Sequence, residues 1–143
     1  MTEKRIATTA ELIYQVGQLE GQIIQRQLAD IGIRMDHARL LHYVSEAPGT
    51  NQVRLAKYLN VQPATLTNMI KKLEKQDLVV RRIDPEDSHQ RQVFLLPQGE
   101  KAAKKITTTF HQLNDIVASV NLAKQGSLQA LSEQLNDHLA KLV

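Results

Sequence analysis

The sequence predicts a mainly α-helical chain interrupted once by a small β-hairpin. Three observations lead there. Most apolar residues recur at three- and four-residue spacing. Two short β-branched runs, Leu78 to Ile83 and Val93 to Leu96, flank a polar segment containing Pro85. The four prolines, at positions 48, 63, 85 and 97, fall between segments rather than within them.

Taking the elements in order, Leu12, Ile13, Val16, Leu19, Ile23, Ile24 and Leu28 define a first helix from about residue 10 to 30. Gly17 and Gly21 weaken it unless they allow close packing. Asp36 is positioned to cap a second helix carrying Ala38, Leu41 and Val44, which stops at the turn Ala47-Pro48-Gly49. Thr50 or Asn51 caps a short third helix with Val53, Leu55, Ala56 and Leu59 on its apolar side. Pro63 opens a fourth, where a missing N–H costs nothing. Leu66, Met69, Ile70 and Leu73 form that helix's one-sided stripe, and Thr65, Thr67, Asn68, Lys71, Lys72 and Lys75 occupy the other face. The hairpin follows, its loop at about residues 84–92. Pro97-Gln98-Gly99 opens a long fifth helix through Ala103, Ile106, Phe110, Leu113, Val117 and Val120. Gly126 breaks it, and Ser127 caps a last helix lined by Leu128, Leu131, Leu135, Leu139 and Leu142.

Composition narrows the function. At 143 residues the chain is one domain or one fused unit, large enough to bury about 70% of its unfolded surface. It has no cysteine, which excludes disulfides, thiolate metal sites and thiol chemistry. No apolar run approaches a signal or membrane-spanning length, so a cytoplasmic location is expected. Net charge is +3, but residues 50–82 hold seven Lys and Arg against two acids. A basic centre between acidic flanks fits a polyanion-facing surface, or simply a solvated helix face.

A short helix, a tight turn, a second helix with a polar and basic outer face, and then a hairpin make a winged helix-turn-helix. Its second helix can enter a DNA major groove while the wing reaches the neighbouring backbone or minor groove. Gln62, Thr65, Thr67 and Asn68 are the candidate base readers, since short polar side chains near the helix start reach base edges. Lys71 and Lys72 are placed for phosphates.

The runs Leu55-Ala56-Lys57-Tyr58-Leu59-Asn60-Val61, Thr65 to Glu74, Leu78-Val79-Val80-Arg81 and Asp84-Pro85-Glu86-Asp87 resemble the multiple-antibiotic-resistance regulator (MarR) family, in register with the helix plan of nearly the whole chain. The resemblance implies a single unit over 1–143, with a winged helix-turn-helix core at 34–96 and dimerisation helices at 6–30 and 97–143. It implies a homodimeric bacterial repressor that binds double-stranded DNA at a near-palindromic operator and is released by a small anionic or phenolic ligand. Wing and backbone contacts would come from Arg54, Arg81, Arg82, Asp87, His89 and Arg91. Effectors in the family lodge between the dimerisation helices and the core, which makes Tyr14, His37, His42 and His111 candidate wall residues.

The chain departs from the family's pattern at three places. Asp77 stands where glycine commonly ends the recognition helix, which makes a left-handed cap less comfortable. His89 replaces the wing arginine, with Arg91 two residues on as a substitute on the same strand face. Leu95-Leu96 replaces leucine-threonine and removes a side-chain cap from the fifth helix. Asp87 matches the wing aspartate that pairs with arginine in the family, and is expected to orient the wing, with Asp84 as a second partner.

No nucleophile elbow, phosphate loop or HExxH pattern occurs, so no enzyme, cofactor or metal site is expected. His37 and His42 are five residues apart, a poor spacing for shared ligation on one helix face. The alternative is a winged-helix module that uses the same basic surface for protein contacts, with weak salt dependence and no palindrome preference.

Overall fold

In a computed structural model, residues 5–120 and 125–142 are described. Two compact units emerge, residues 1–111 and 112–143. The first contains α1 (Thr9–Gln27), a 3₁₀ turn (Ala29–Ile31), α2 (Met35–Glu46), β1 (Thr50–Asn51), α3 (Gln52–Leu59), α4 (Pro63–Lys75), β2 (Val79–Ile83), β3 (Arg91–Leu95) and the first part of α5 (Pro97–Ala118). The second contains the end of α5 and α6 (Gln125–Lys141). The mainly α chain with a small wing is the expected fold class.

The core of the first unit is drawn from every element of the sequence pattern. Leu28, Leu40, Leu41, Leu55, Leu66, Ile70, Leu73, Val79, Val93 and Ile106 are fully buried, each burial contributing about 1.5–3 kcal/mol. Arg39 ties α2 to α3, its guanidinium lying 4.9 Å from the Tyr58 ring centroid while Tyr43 packs on the same ring at 4.6 Å.

The sheet has three strands where two were expected, in the antiparallel order β1-β3-β2. Thr50 pairs with Val93 and Asn51 with Gln92, so two residues that read as helix caps also add an edge strand. Asn51 serves both roles, its carboxamide oxygen accepting from the Arg54 N–H at 2.9 Å. The hairpin register pairs Val79 with Leu95, Arg81 with Val93 and Ile83 with Arg91.

Other boundaries moved for local reasons. Asp36 does not cap α2: Arg34 is the N-cap residue, and Asp36 lies in the first turn, where its carboxylate accepts from the His37 N–H at 2.9 Å and favours the positive helix end. Thr8 caps α1 through the Glu11 N–H. α5 stops at Ala118, before Val120. Gly126 and Ser127 lie inside α6 rather than before it, and residues 121–124 lie outside the described residues. Asp77 does adopt the left-handed conformation, with φ 58°, while the Leu78 N–H closes on the Leu73 carbonyl at 3.0 Å.

Gly99 fixes the junction of hairpin and α5. A Cβ there would sit 1.9 Å from the Leu78 carbonyl oxygen, the same oxygen that accepts from the Leu96 N–H at 2.9 Å. Only glycine admits this approach. At the start of α5 the Glu100 N–H donates to the Leu96 carbonyl (2.9 Å), and Leu96 has no side-chain acceptor to add.

Candidate nucleic-acid interface

α4 is a two-faced helix. Leu66, Met69, Ile70 and Leu73 are buried, and the exposed Asn68, Lys71 and Lys75 follow one another opposite them at three- and four-residue spacing. Thr65 and Lys72 flank this line and are also exposed, as is Gln62, the N-cap residue. Gln62 provides no side-chain cap bond, so its carboxamide is free to face outward.

Thr67 differs from the other candidate readers. It is half-buried, its hydroxyl donating to the Pro63 carbonyl at 3.0 Å and accepting from Gln52 Nε2 at 3.5 Å. Only its methyl is left for a base, and Gln52 at the start of α3 holds it in place. Sequence reasoning missed Gln52 because α3 and α4 meet only in the fold.

The basic residues of the wing fall into two groups. Arg81 is not free: its guanidinium pairs with Glu74 of α4 at 2.8 Å, with both side chains half-buried. It therefore joins the hairpin to α4. Arg82 is exposed and lies 5.5 Å over the Phe94 ring, a cation–π arrangement that supports the guanidinium without consuming its donors. Arg54 is exposed on α3.

At the wing tip, Asp84 accepts from the Glu86 N–H (2.9 Å) and Asp87 from the His89 N–H (3.0 Å). Both are turn-forming bonds of carboxylate to backbone. Among the described residues neither acid forms an ion pair with arginine, so Asp87 shapes the loop through backbone instead. His89 is exposed within that loop and not on β3, and it does not share a strand face with Arg91. The Arg91 guanidinium folds back onto the carbonyls of Ser88 (3.0 Å) and Gln90 (3.3 Å).

The four candidate effector residues stand in different surroundings. His37 is buried, and desolvation holds its imidazole below the ordinary histidine range, opposed by Asp36 and aided by Arg34 and Lys72. His42 is half-buried, with Nδ1 on the Thr107 hydroxyl (3.1 Å), Nε2 on Glu46 (2.8 Å) and its ring edge-on to Phe110. Tyr14 lines a shallow hollow on α1 with Arg5, Glu11 and Gln18, and His111 is exposed on α5. Among the described residues no group of three or more His, Cys, Asp or Glu is arranged to hold a metal ion, and no helix is long and apolar enough to cross a membrane.

The MarR family model matches residues 33–90, the segment that builds this surface. The chain is 30% identical over 115 residues to the uncharacterized HTH-type transcriptional regulator YdgJ of Bacillus subtilis (strain 168), covering 78% of this chain and 69% of YdgJ. The chain belongs to the MarR family. MarR-family members are transcriptional regulators rather than enzymes, and this MarR-family chain is a DNA-binding regulator. It is also 27% identical over 97 residues to a putative transcriptional regulatory protein for the hcr operon of Thauera aromatica, covering 67% of this chain and 58% of that protein. Its fold matches that of Staphylococcus aureus MepR in a MepR–DNA complex, with a TM-score of 0.72 and 22% identity over 96% of this chain and all of that one.

Proposed function

We propose that the protein is a homodimeric repressor that sets two α4 helices into successive major grooves of a near-palindromic operator and is released by a small ligand. The observation that carries this is the outward line of Asn68, Lys71 and Lys75 on a helix whose other face is fully committed to the core. Gln62, Thr65 and Asn68 read base edges, the Thr67 methyl adds an apolar contact, and Lys71 and Lys72 meet phosphates. Arg54 and Arg82 meet the flanking backbone, while His89 and the side chains of the wing loop approach the adjacent groove.

The winged core is assigned to 34–96 and dimerisation to 6–30 and 97–143. Support comes from apolar side chains left exposed among the described residues: Leu12, Val16 and Leu19 on α1, and Leu128, Leu135 and Leu139 on α6, are each 49–60% exposed. A second copy would cover them by an isologous contact. Such a dimer must present its two α4 helices about 34 Å apart. The MepR–DNA complex, whose protein shares this fold, supports the DNA-facing reading. The cytoplasm is the compartment in which such a regulator works.

The test is selection of bound duplexes from a random-sequence library by the purified protein at near-physiological salt. An enriched inverted repeat is expected, and a library returned without enrichment would sink the proposal. On the selected duplex, Asn68→Ala should relax preference at one position of each half-site by about 1–3 kcal/mol. Lys71→Ala should weaken all duplexes alike and lower the salt slope by about one unit per protomer.

A further inference from the structure

A cavity of about 640 Å³ lies between the end of α2, β3 and the first turns of α5, away from the outward face of α4. Its size is that of a small-molecule site, for which about 300–1,000 Å³ is usual. Val44, Pro48, Phe94, Leu95 and Ala103 make an apolar wall, and Ser45, Glu100, Lys104, Thr107 and Thr108 form the polar part.

Two hydroxyl protons of that polar part are already spent. Ser45 donates to the His42 carbonyl at 2.6 Å and Thr108 to the Lys104 carbonyl at 3.0 Å. His42 bonds the Glu46 carboxylate through Nε2 at 2.8 Å, which requires the proton on that nitrogen. Nδ1 of the same ring lies 3.1 Å from the Thr107 hydroxyl, so that hydroxyl is engaged as well. The Ser45 and Thr108 oxygens therefore have lone pairs left to offer a ligand. The Glu100 carboxylate forms no ion pair among the described residues and adds further acceptors. Against these stands one cationic lining group, the Lys104 ammonium, exposed on a long flexible stem.

We propose that this cavity binds a small amphipathic amine, its apolar body against Phe94 and Ala103 and its ammonium on Glu100 and the hydroxyl oxygens. This ligand chemistry is opposite in charge to the anionic or phenolic effector that the family resemblance implies. The inference deepens the ligand-released repressor and, for its regulatory part, rests on that reading. Phe94 is the link: its ring lines the cavity and also carries the Arg82 guanidinium at 5.5 Å. The ring has little slack on another side, because a Cβ at Gly49 would lie 3.1 Å from Phe94 Cζ. A ligand that shifts the ring withdraws support from Arg82 and weakens the contact with DNA.

The test uses three probes of matched size: 2-(1-naphthyl)ethylamine, 1-naphthylacetate and 2-(1-naphthyl)ethanol. They are titrated into the full chain by calorimetry. The amine is expected to bind at least tenfold more tightly than the carboxylate, with the alcohol between them. Glu100→Gln, at an exposed position, should erase that preference, and Ala103→Leu, which fills the cavity, should abolish binding. A carboxylate that binds as tightly as the amine, a preference untouched by Glu100→Gln, or no binding by any probe because a second copy seals the cavity would each overturn the assignment. On the selected duplex, saturating amine should lower affinity at least fivefold, and an unchanged affinity would overturn the link through Phe94 and Arg82. Failure to select any duplex would strike the repressor reading, leaving the amine site to be decided by the titrations alone.

Discussion

α4 and α6 carry the same kind of apolar repeat and meet opposite fates. In α4, Leu66, Met69, Ile70 and Leu73 are all buried against α3 and the sheet side of the core. In α6, Leu128, Leu131, Leu135 and Leu139 follow comparable spacing, yet each is 37–60% exposed and no residue of the helix is buried. Periodicity declares that a helix has an apolar face, but not whose surface covers it. For α4 the cover lies in the same chain. For α6 the exposed leucine row is the surface to which the proposed dimer contact is assigned.

The largest expected effect separates these two cases. Leu131→Lys combined with Leu135→Lys should convert the protein to a monomer by sedimentation and lower affinity for the selected duplex more than 100-fold, while the melting of the winged core persists. Ile70→Ala should instead cost about 2–5 kcal/mol of stability at any protein concentration, measured by urea unfolding. If the lysine pair leaves both mass and DNA binding unchanged, the two helices differ in exposure alone and the dimer assignment fails.

A smaller effect sharpens the same contrast through pH, since the buried histidine belongs to the core beside α4. The His37 imidazole is held below its ordinary value of about 6.5, chiefly by desolvation. Its contribution is complete above that value, where both folded and unfolded forms are neutral, and is lost as pH falls toward the lowered folded value. The groups around it act through Asp36, Arg34 and Lys72. The melting temperature should therefore drop below about pH 6.5, and His37→Gln should flatten that part of the profile. A profile identical to wild type would remove His37 from the account.

The smallest effect concerns the end of α4. Asp77 holds φ 58° with a Cβ that this conformation disfavours. Asp77→Gly should raise stability by about 0.5–1 kcal/mol in chemical unfolding, since glycine takes the left-handed cap without strain.

Much of the fold was legible because prolines and stripes mark it independently: Pro63 and Pro97 open α4 and α5 as expected. β1 was not, because two residues cannot display a strand period, and Asn51 carries a cap signal at the same position. Gly126 and Ser127 read as a break and a cap, yet helix propensity is a weak prior and α6 runs through both. At the candidate interface, residue type singled out Asn68, Lys71 and Lys72, and all three are exposed. It could not tell Arg81 from Arg82. Which of two adjacent arginines is tied down depends on Glu74 across the Asp77 turn and on Phe94 across the hairpin, partners fixed only when strands pair. The histidines were grouped by chemistry, but α2 separates them: His37 turns into the core and His42 toward Thr107 of α5.

The contact at Gly99 has a mechanical consequence. With no clearance between the first turn of α5 and the Leu78 carbonyl, and with Leu96 bonded to that same oxygen, both ends of the hairpin and the root of the long helix are pinned at one fulcrum. Torque applied to the start of α5 passes into the wing without a joint to absorb it. On the other side of α2 the chain has the clearance this junction lacks: Gly32 holds φ 64° and no neighbour crowds its Cβ position.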